Sequence, residues 1–309
     1  MNRLAGIILA VIGAVVVALG LSKVVPGMTG TGAGMIFGGL LIIGLSFIKK
    51  PQTDEGESMS TGATLGNIFF SPSEAFRSLR SHPRFVAALI IMIVCGSIYN
   101  AMFLNRLGPE RVANFAIDKT LEMPMVASNE DARKQVEAGR DQAIADAKSP
   151  LKKVAGGVTG FVGSLVLYSL GAAIFMLFAM AMGGKMNFYQ ALSATVYASF
   201  PVTIIRFVLN SILLYVKDPS DIHPIIGQQS LIQDNLNFLV KSGENPVIYS
   251  LLGALSLLSF YWLWLLATGL KNTGEKVSGT VAWTAAISVY ALLIVLSMAL
   301  AMLFPSFIS

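Results

Sequence analysis

The chain has 309 residues, of which 54% are hydrophobic and only 13% charged, with a formal net charge of +5. A mean hydropathy of +0.69 over that length cannot be solvated as an ordinary globular surface, which excludes a water-soluble domain and points to a protein embedded in a membrane. The positive balance does not indicate nucleic acid, because the basic residues flank apolar runs, where lipid headgroups are the partner at hand.

A hydrocarbon core about 30 Å thick takes roughly 20 apolar residues per helix. Seven runs qualify, near residues 4–22, 33–48, 85–104, 154–182, 189–215, 247–270 and 278–304. They are continuous rather than alternating, so the expected fold is all-α, a polytopic transmembrane helix bundle and not a β-barrel. The first run also resembles a signal peptide, but no small-x-small cleavage site follows it, and the next run, GMIFGGLLIIGLSFI, echoes it. The two are expected as a transmembrane hairpin over 1–50, turned at Val25-Pro26-Gly27. Gly30, Gly34 and Gly38 fall four apart and share a helical face, as do Gly156 and Gly160 at the start of the fourth run; both sets are expected to pack against other helices.

Residues 51–65, polar and rich in Gly, Ser and Thr, read as a linker. The stretch FFSPSEAFRSLRSHPRF, Phe69 to Phe85, follows. Ser71 suits an N-cap, Pro72 the first helical position, and Glu74 would complete a capping box. The helix expected over about 72–82 ends before Pro83. Ala75, Phe76 and Leu79 share one side and Arg77 and Arg80 the other, the pattern of an elbow: a short helix lying in the membrane interface and leading through the Pro83 corner into the third run.

Between the third and fourth runs, SNEDARKQVEAGRDQAIADAKSP reads as a solvated helix, with a capping box from Ser128 to Asp131 and an end at Ser149-Pro150. In the fifth run Pro201 is expected to kink the helix. Arg206, beyond it, is costly in a membrane by about 3 kcal/mol and needs a reason. No acidic residue lies inside any run, so its candidate companions are Asn210, Tyr197, Asn100, the carbonyl freed by Pro201 or a lipid phosphate; the alternative is that it reaches to the outer headgroups. Lys and Arg in the short loops (Arg3, Lys49, Lys50, Arg77, Arg80, Arg84, Lys185, Lys271, Lys276) all fall on one side, which places the amino terminus in the cytoplasm and the carboxyl terminus outside.

Candidate chemistry is sparse. Neither a phosphate-cradling loop nor a metalloprotease motif is present. His82 and His223 each precede a proline, and Asp218, Asp221 and His223 have the spacing of turns and caps more than of a metal site. The single cysteine, Cys95, suits apolar packing. No enzyme activity, cofactor or metal is assigned. The missing intramembrane acid also argues against ion-coupled transport.

The elbow stretch, then GGKMNFYQALSATVYASFP (Gly183 to Pro201) and WLLATGLKNTGEKVSGTVAW (Trp264 to Trp283), together resemble the Yip domain, the Ypt-interacting-protein family of multi-pass membrane proteins, in its bacterial branch. The resemblance covers about 66–309 and implies a five-helix membrane domain approached from the cytoplasm. It further implies a bacterial inner-membrane location and a non-enzymatic, trafficking-like or membrane-organising adaptor that binds lipids and other integral membrane proteins, itself included. The GTPase partner of eukaryotic members is not carried over, because their acidic-aromatic-Gly-Pro signature is missing; Gly108-Pro109 follows Arg106-Leu107. The alternative expectation is a lipid or small-solute conduit centred on Arg206 and the Pro201 kink.

Overall fold

The computed structural model describes residues 3–22, 28–48, 59–241 and 243–304. Among them the elements are helical throughout. Two apolar helices, α1 (Arg3–Leu21) and α2 (Thr29–Ser46), precede a pair of short ones, α3 (Thr61–Phe70) and α4 (Pro72–Ser81). After α5 (Val86–Leu107) come α6 (Pro109–Leu121), α7 (Pro124–Ala127), α8 (Glu130–Ala138) and α9 (Arg140–Lys148). The long helices α10 (Pro150–Ala181) and α11 (Phe188–Val216) follow, then α12 (Ile226–Gln229), α13 (Pro246–Ala254), α14 (Leu257–Thr273) and α15 (Gly279–Leu303). Five of them, α2, α5, α10, α11 and α15, are long and apolar enough to cross a membrane.

The first expected run forms α1, apolar over Gly6–Leu21. The sixth expected span differs: it is divided at Leu255 and Ser256. There the Asp234 carbonyl accepts from Leu257 N (3.1 Å) and its Oδ2 from Leu258 N (3.0 Å), while the Tyr290 hydroxyl donates to Ala254 O. These partners satisfy backbone groups that a break in a helix leaves exposed, a need apolar surroundings make acute.

The chain divides into two compact units: Met1–Ile93, Lys153–Pro201 and Trp264–Ala286 form the first, and Val94–Lys152, Val202–Leu263 and Ile287–Ser309 the second. The amino-terminal parts of α5, α11 and α15, the carboxyl-terminal part of α14 and nearly all of α10 belong to the first.

In the first unit α1 and α2 pair through a seven-residue glycine repeat. A Cβ on Gly39 would lie 2.6 Å from Gly6 O and Ala10 N, and one on Gly32 2.7 Å from Gly13 O; Gly20 is as close to Thr29 N. Only glycine lets the backbones approach so far. The expected turn, Val25 to Gly27, lies outside the described residues, as do Lys49, Lys50 and 51–58. Of the predicted packing glycines, Gly38 meets Val162 of α10 at 2.7 Å, whereas Gly30, Gly34, Gly156 and Gly160 have nothing within 4 Å of a would-be Cβ. Their periodicity was a face, but one that this chain does not cover. The polar stretch read as linker ends in α3, whose N-cap Ser60 accepts from Ala63 N.

The amino-terminal part of α11 is the centre of this unit: Ala191, Leu192, Ala194, Val196, Tyr197 and Ala198 are all fully buried. Helix α10 stops at Gly183, in the left-handed region (φ 83°), with Gly183 N bonded to Met180 O and Gly184 N to Ala179 O, a Schellman closure that a side chain at Gly183 would strain.

In the second unit, the expected single helix after Ser128 is two, broken at Gly139, and its cap is Asn129, which accepts from Ala132 N, rather than Ser128. The second of them, α9, ends at Ser149-Pro150 as expected, with Ser149 as its C-cap, and Pro150 then opens α10. Arg140 ties α6 to α9 through Asn114 (3.0 Å), Asp118 (2.8 Å) and Glu137 (2.9 Å). A core of Tyr99, Phe103, Leu104, Leu107, Val112, Leu214, Ile222 and Leu231 holds α5, α6, α11 and the loop after α11 together.

Candidate functional site

The three segments singled out in the sequence meet in the first unit. Phe76 of α4 is fully buried, its ring 3.0 Å from where a Gly269 Cβ would stand in α14. Gln190 of α11 donates through Nε2 to Arg80 O (2.9 Å), closing the end of α4, and its Oε1 accepts from Asn187 N. Phe69 lies edge-on to Phe200 at 5.9 Å, and Glu275 N donates to Lys185 O at 2.8 Å.

This packing changes the reading of the elbow. The apolar face of α4 (Ala75, Phe76, Leu79) is covered by the protein itself, not left for lipid, while Arg77 and Arg80 remain exposed as expected. Phe70, 88% exposed, is the one outward aromatic of the segment. Ser71 caps α4 through its carbonyl, which accepts from Glu74 N and Ala75 N, and no side-chain capping box with Glu74 forms. The reason is that Ser71 also terminates α3, donating its N–H to Asn67 O, so its backbone is bent for two helices at once. Pro83 is buried at the corner.

Beside that corner is a cleft of about 430 Å³ lined by Thr61, Pro83, Arg84, Phe85, Val86, Ala87, Ile90, Tyr189 and Tyr197. Arg84 reaches back to α3: Nη1 donates to Thr61 Oγ1 (3.4 Å) and Nη2 to Met59 O, while Nε is buried with no partner. Tyr189 donates its hydroxyl to Leu45 O of α2. Tyr197, two turns further along α11, is fully buried. Arg84 and Tyr189 were not selected from the sequence. The available signal was a cation placed directly after Pro83 at the mouth of an apolar run, where it served only as a count toward orientation.

The residues expected around Arg206 are otherwise engaged. Asn210, 3% exposed, accepts through Oδ1 from Leu231 N (2.8 Å) and Ile232 N (3.2 Å), and Asn100 accepts from Gln228 Nε2 (2.7 Å). Arg206 is half-buried and makes no hydrogen bond or ion pair among the described residues. Pro201 sits inside α11, which continues through it from Phe188 to Val216.

In the loop after α11, Asp218 caps a short 3-10 turn by accepting from Ser220 N (2.8 Å); the hydrogen bond donated by the Ser220 hydroxyl, and then this backbone one, hold its carboxyl below the usual range. His223 Nδ1 accepts from Ile225 N (3.2 Å) and Ile226 N (3.1 Å), its ring edge-on to Phe115 at 4.9 Å. Burial, then the charge of Lys119, lowers its pKa from 6.5. Arg111 binds the same loop through Pro219 O (2.7 Å).

The Yip1 domain family matches residues 66–300. No curated protein and no solved structure matches the chain. The matched span opens inside α3, takes in α4 and the Arg84 corner, and closes within α15. A chain whose three diffuse motifs pack on one another within that span, and which carries several helices able to cross a membrane, is a multi-pass membrane protein and belongs to the Yip1 domain family.

Proposed function

We propose that the protein is a non-enzymatic membrane-organising adaptor that associates within the bilayer with other integral membrane proteins, further copies of itself included. The observation that carries this reading is the glycine face of α10. Gly156, Gly160 and Gly163 are exposed, and a Cβ on any of them would meet nothing within 4 Å. In the hairpin, glycines of the same kind are buried under a neighbouring backbone; a second such face left bare in a membrane helix suits close approach by a helix from another chain. The distribution of Lys and Arg supports a cytoplasmic amino terminus, and the resemblance to bacterial members supports a bacterial inner membrane.

The test is crosslinking in intact membranes followed by purification of the full chain in mild detergent. Wild-type protein is expected to carry reproducible membrane-protein partners or its own dimer, and Gly156→Leu with Gly160→Leu to lose them while melting at the same temperature. Absence of any association above background, or association indifferent to both substitutions, would contradict the proposal.

A further inference from the structure

The Arg84 corner carries more than the packing of α4. Its guanidinium has five N–H donors, yet its hydrogen bonds go to a hydroxyl and a carbonyl, Thr61 Oγ1 and Met59 O. Nε is buried without a partner, and no carboxylate among the described residues pairs with it. A half-buried cation bordered by Pro83, Phe85 and Tyr197 is poorly solvated, and a nearby anion offsets that cost. Tyr197 lines the same cleft and is 0% exposed, so its phenol ring is held in place beside the guanidinium and forms part of the wall of the corner.

The rest of the lining indicates what the anion is attached to. Val86 and Ile90 lie one turn apart at the start of α5, 45% and 47% exposed, and both border the cleft. They continue from Arg84 along the outside of a helix built to cross a membrane. An anion with an apolar tail matches that sequence of surfaces: charge and hydroxyl at the corner, hydrocarbon along the helix.

We propose that the cleft formed by Arg84, Tyr197, Val86 and Ile90 binds a phosphate group, contributed by an anionic phospholipid whose acyl chain lies along α5. The phosphate takes charge-assisted hydrogen bonds from Arg84 and one from Tyr197, in the planar donor geometry for which arginine is suited. Lysine at 84 would keep the charge and lose that fork.

The experiment is native mass spectrometry of the full chain, purified in mild detergent and exchanged into micelles containing phosphatidylglycerol or diacylglycerol with the same acyl chains. Phosphatidylglycerol is expected to remain bound and diacylglycerol not. Arg84→Gln is expected to lower phosphatidylglycerol occupancy roughly tenfold, the equivalent of one charge-assisted hydrogen bond. Because Arg84 also anchors α3, Tyr197→Phe serves as the second variant; it removes one oxygen and is expected to lower occupancy several-fold with an unchanged melting temperature. Equal retention by wild type and both variants would overturn the proposal. Displacement of phosphatidylglycerol by inorganic phosphate would overturn the lipid assignment in favour of a soluble phosphate. Asp54, Glu55 and Glu57 precede Met59 in the sequence, and D54N/E55Q/E57Q is expected to leave occupancy unchanged; a marked rise would mean that Arg84 already had a carboxylate partner, and would likewise overturn it.

Discussion

The ring of Phe76 rests against the backbone of Gly269, with two of its carbons 3.0 Å from the place a Cβ would take and Ala194 Cβ only 3.3 Å away. The contact joins the short amphipathic helix α4 to α14. Phe76 cannot retreat, since Ala75, Leu79 and Ala194 around it are fully buried as well. Gly269→Ala is expected to cost roughly 1–3 kcal/mol by overpacking, seen as a lowered melting temperature in detergent. Restoration by Phe76→Leu in the double variant would identify the ring as the cause; an unaltered melting temperature in Gly269→Ala would show the contact to be loose.

The hairpin gives a contrast within one residue type. Gly39→Ala would press a methyl group onto Gly6 O and Ala10 N, backbone atoms that cannot turn aside, whereas Gly34→Ala enters open space. The first is expected to destabilise the pairing of α1 with α2, again by roughly 1–3 kcal/mol, and the second to be neutral or slightly stabilising because alanine is the better helix former. Disulfide trapping of cysteines introduced on the two helices reads the difference. Equal trapping in the two variants would contradict the seam.

How far the fold was legible follows from these two cases. The long apolar runs and the two-faced character of α4 depend on local composition, and the ends of α5, α10, α11 and α15 fall within a few residues of the runs that predicted them. Which glycines pack does not depend on local pattern. A four-residue spacing marks a common face, but only the neighbouring helix decides whether that face is covered, and the hairpin uses Gly6, Gly13 and Gly20, spaced by seven. The break in the sixth run was equally hidden, since it is held by Asp234 and Tyr290 from elsewhere in the chain. Helix α3 had a readable cap in Ser60, overlooked because the residues after it are small and polar. Of the site, Tyr197 and Pro83 were selected and Arg84 was not, because its significance lies in the hydroxyl and the cleft brought to it by α11.

Asn210 holds two backbone N–H groups of the segment after α12. Asn210→Leu removes the acceptor and strands both donors, each worth roughly 1–3 kcal/mol when buried and unpaired. The variant is expected to melt earlier and to be cut by protease between 226 and 236. Asn210→Asp keeps an acceptor oxygen and should be the milder change; identical behaviour of the two would show that the hydrogen bonds matter little.

His223 accepts two backbone N–H groups through Nδ1, so only its neutral ring can serve. Its pKa is lowered from 6.5 in the folded protein by burial and by Lys119, and the unfolded chain therefore takes up a proton first as pH falls. The stability it contributes is complete above about pH 6.5 and declines as the pH drops from there through the folded value. The protection of the Ile225 and Ile226 amides against hydrogen exchange, relative to the intrinsic rate at each pH, is expected to fall between pH 7 and pH 5, and His223→Asn, which retains a short-range acceptor, to flatten the dependence. Protection independent of pH across that window would contradict the assignment.

The most direct test of the whole account is the side of the membrane on which Ser73 and Gln142 lie. Helix α5 is the one long apolar helix between them, and its 22 residues extend about 33 Å, enough to cross once. In a Cys95→Ala background, Ser73→Cys and Gln142→Cys are labelled in sealed vesicles with a membrane-impermeant maleimide, before and after permeabilisation. The account predicts that one site reacts at once and the other only after the membrane is opened. Simultaneous labelling of both in sealed vesicles would contradict it.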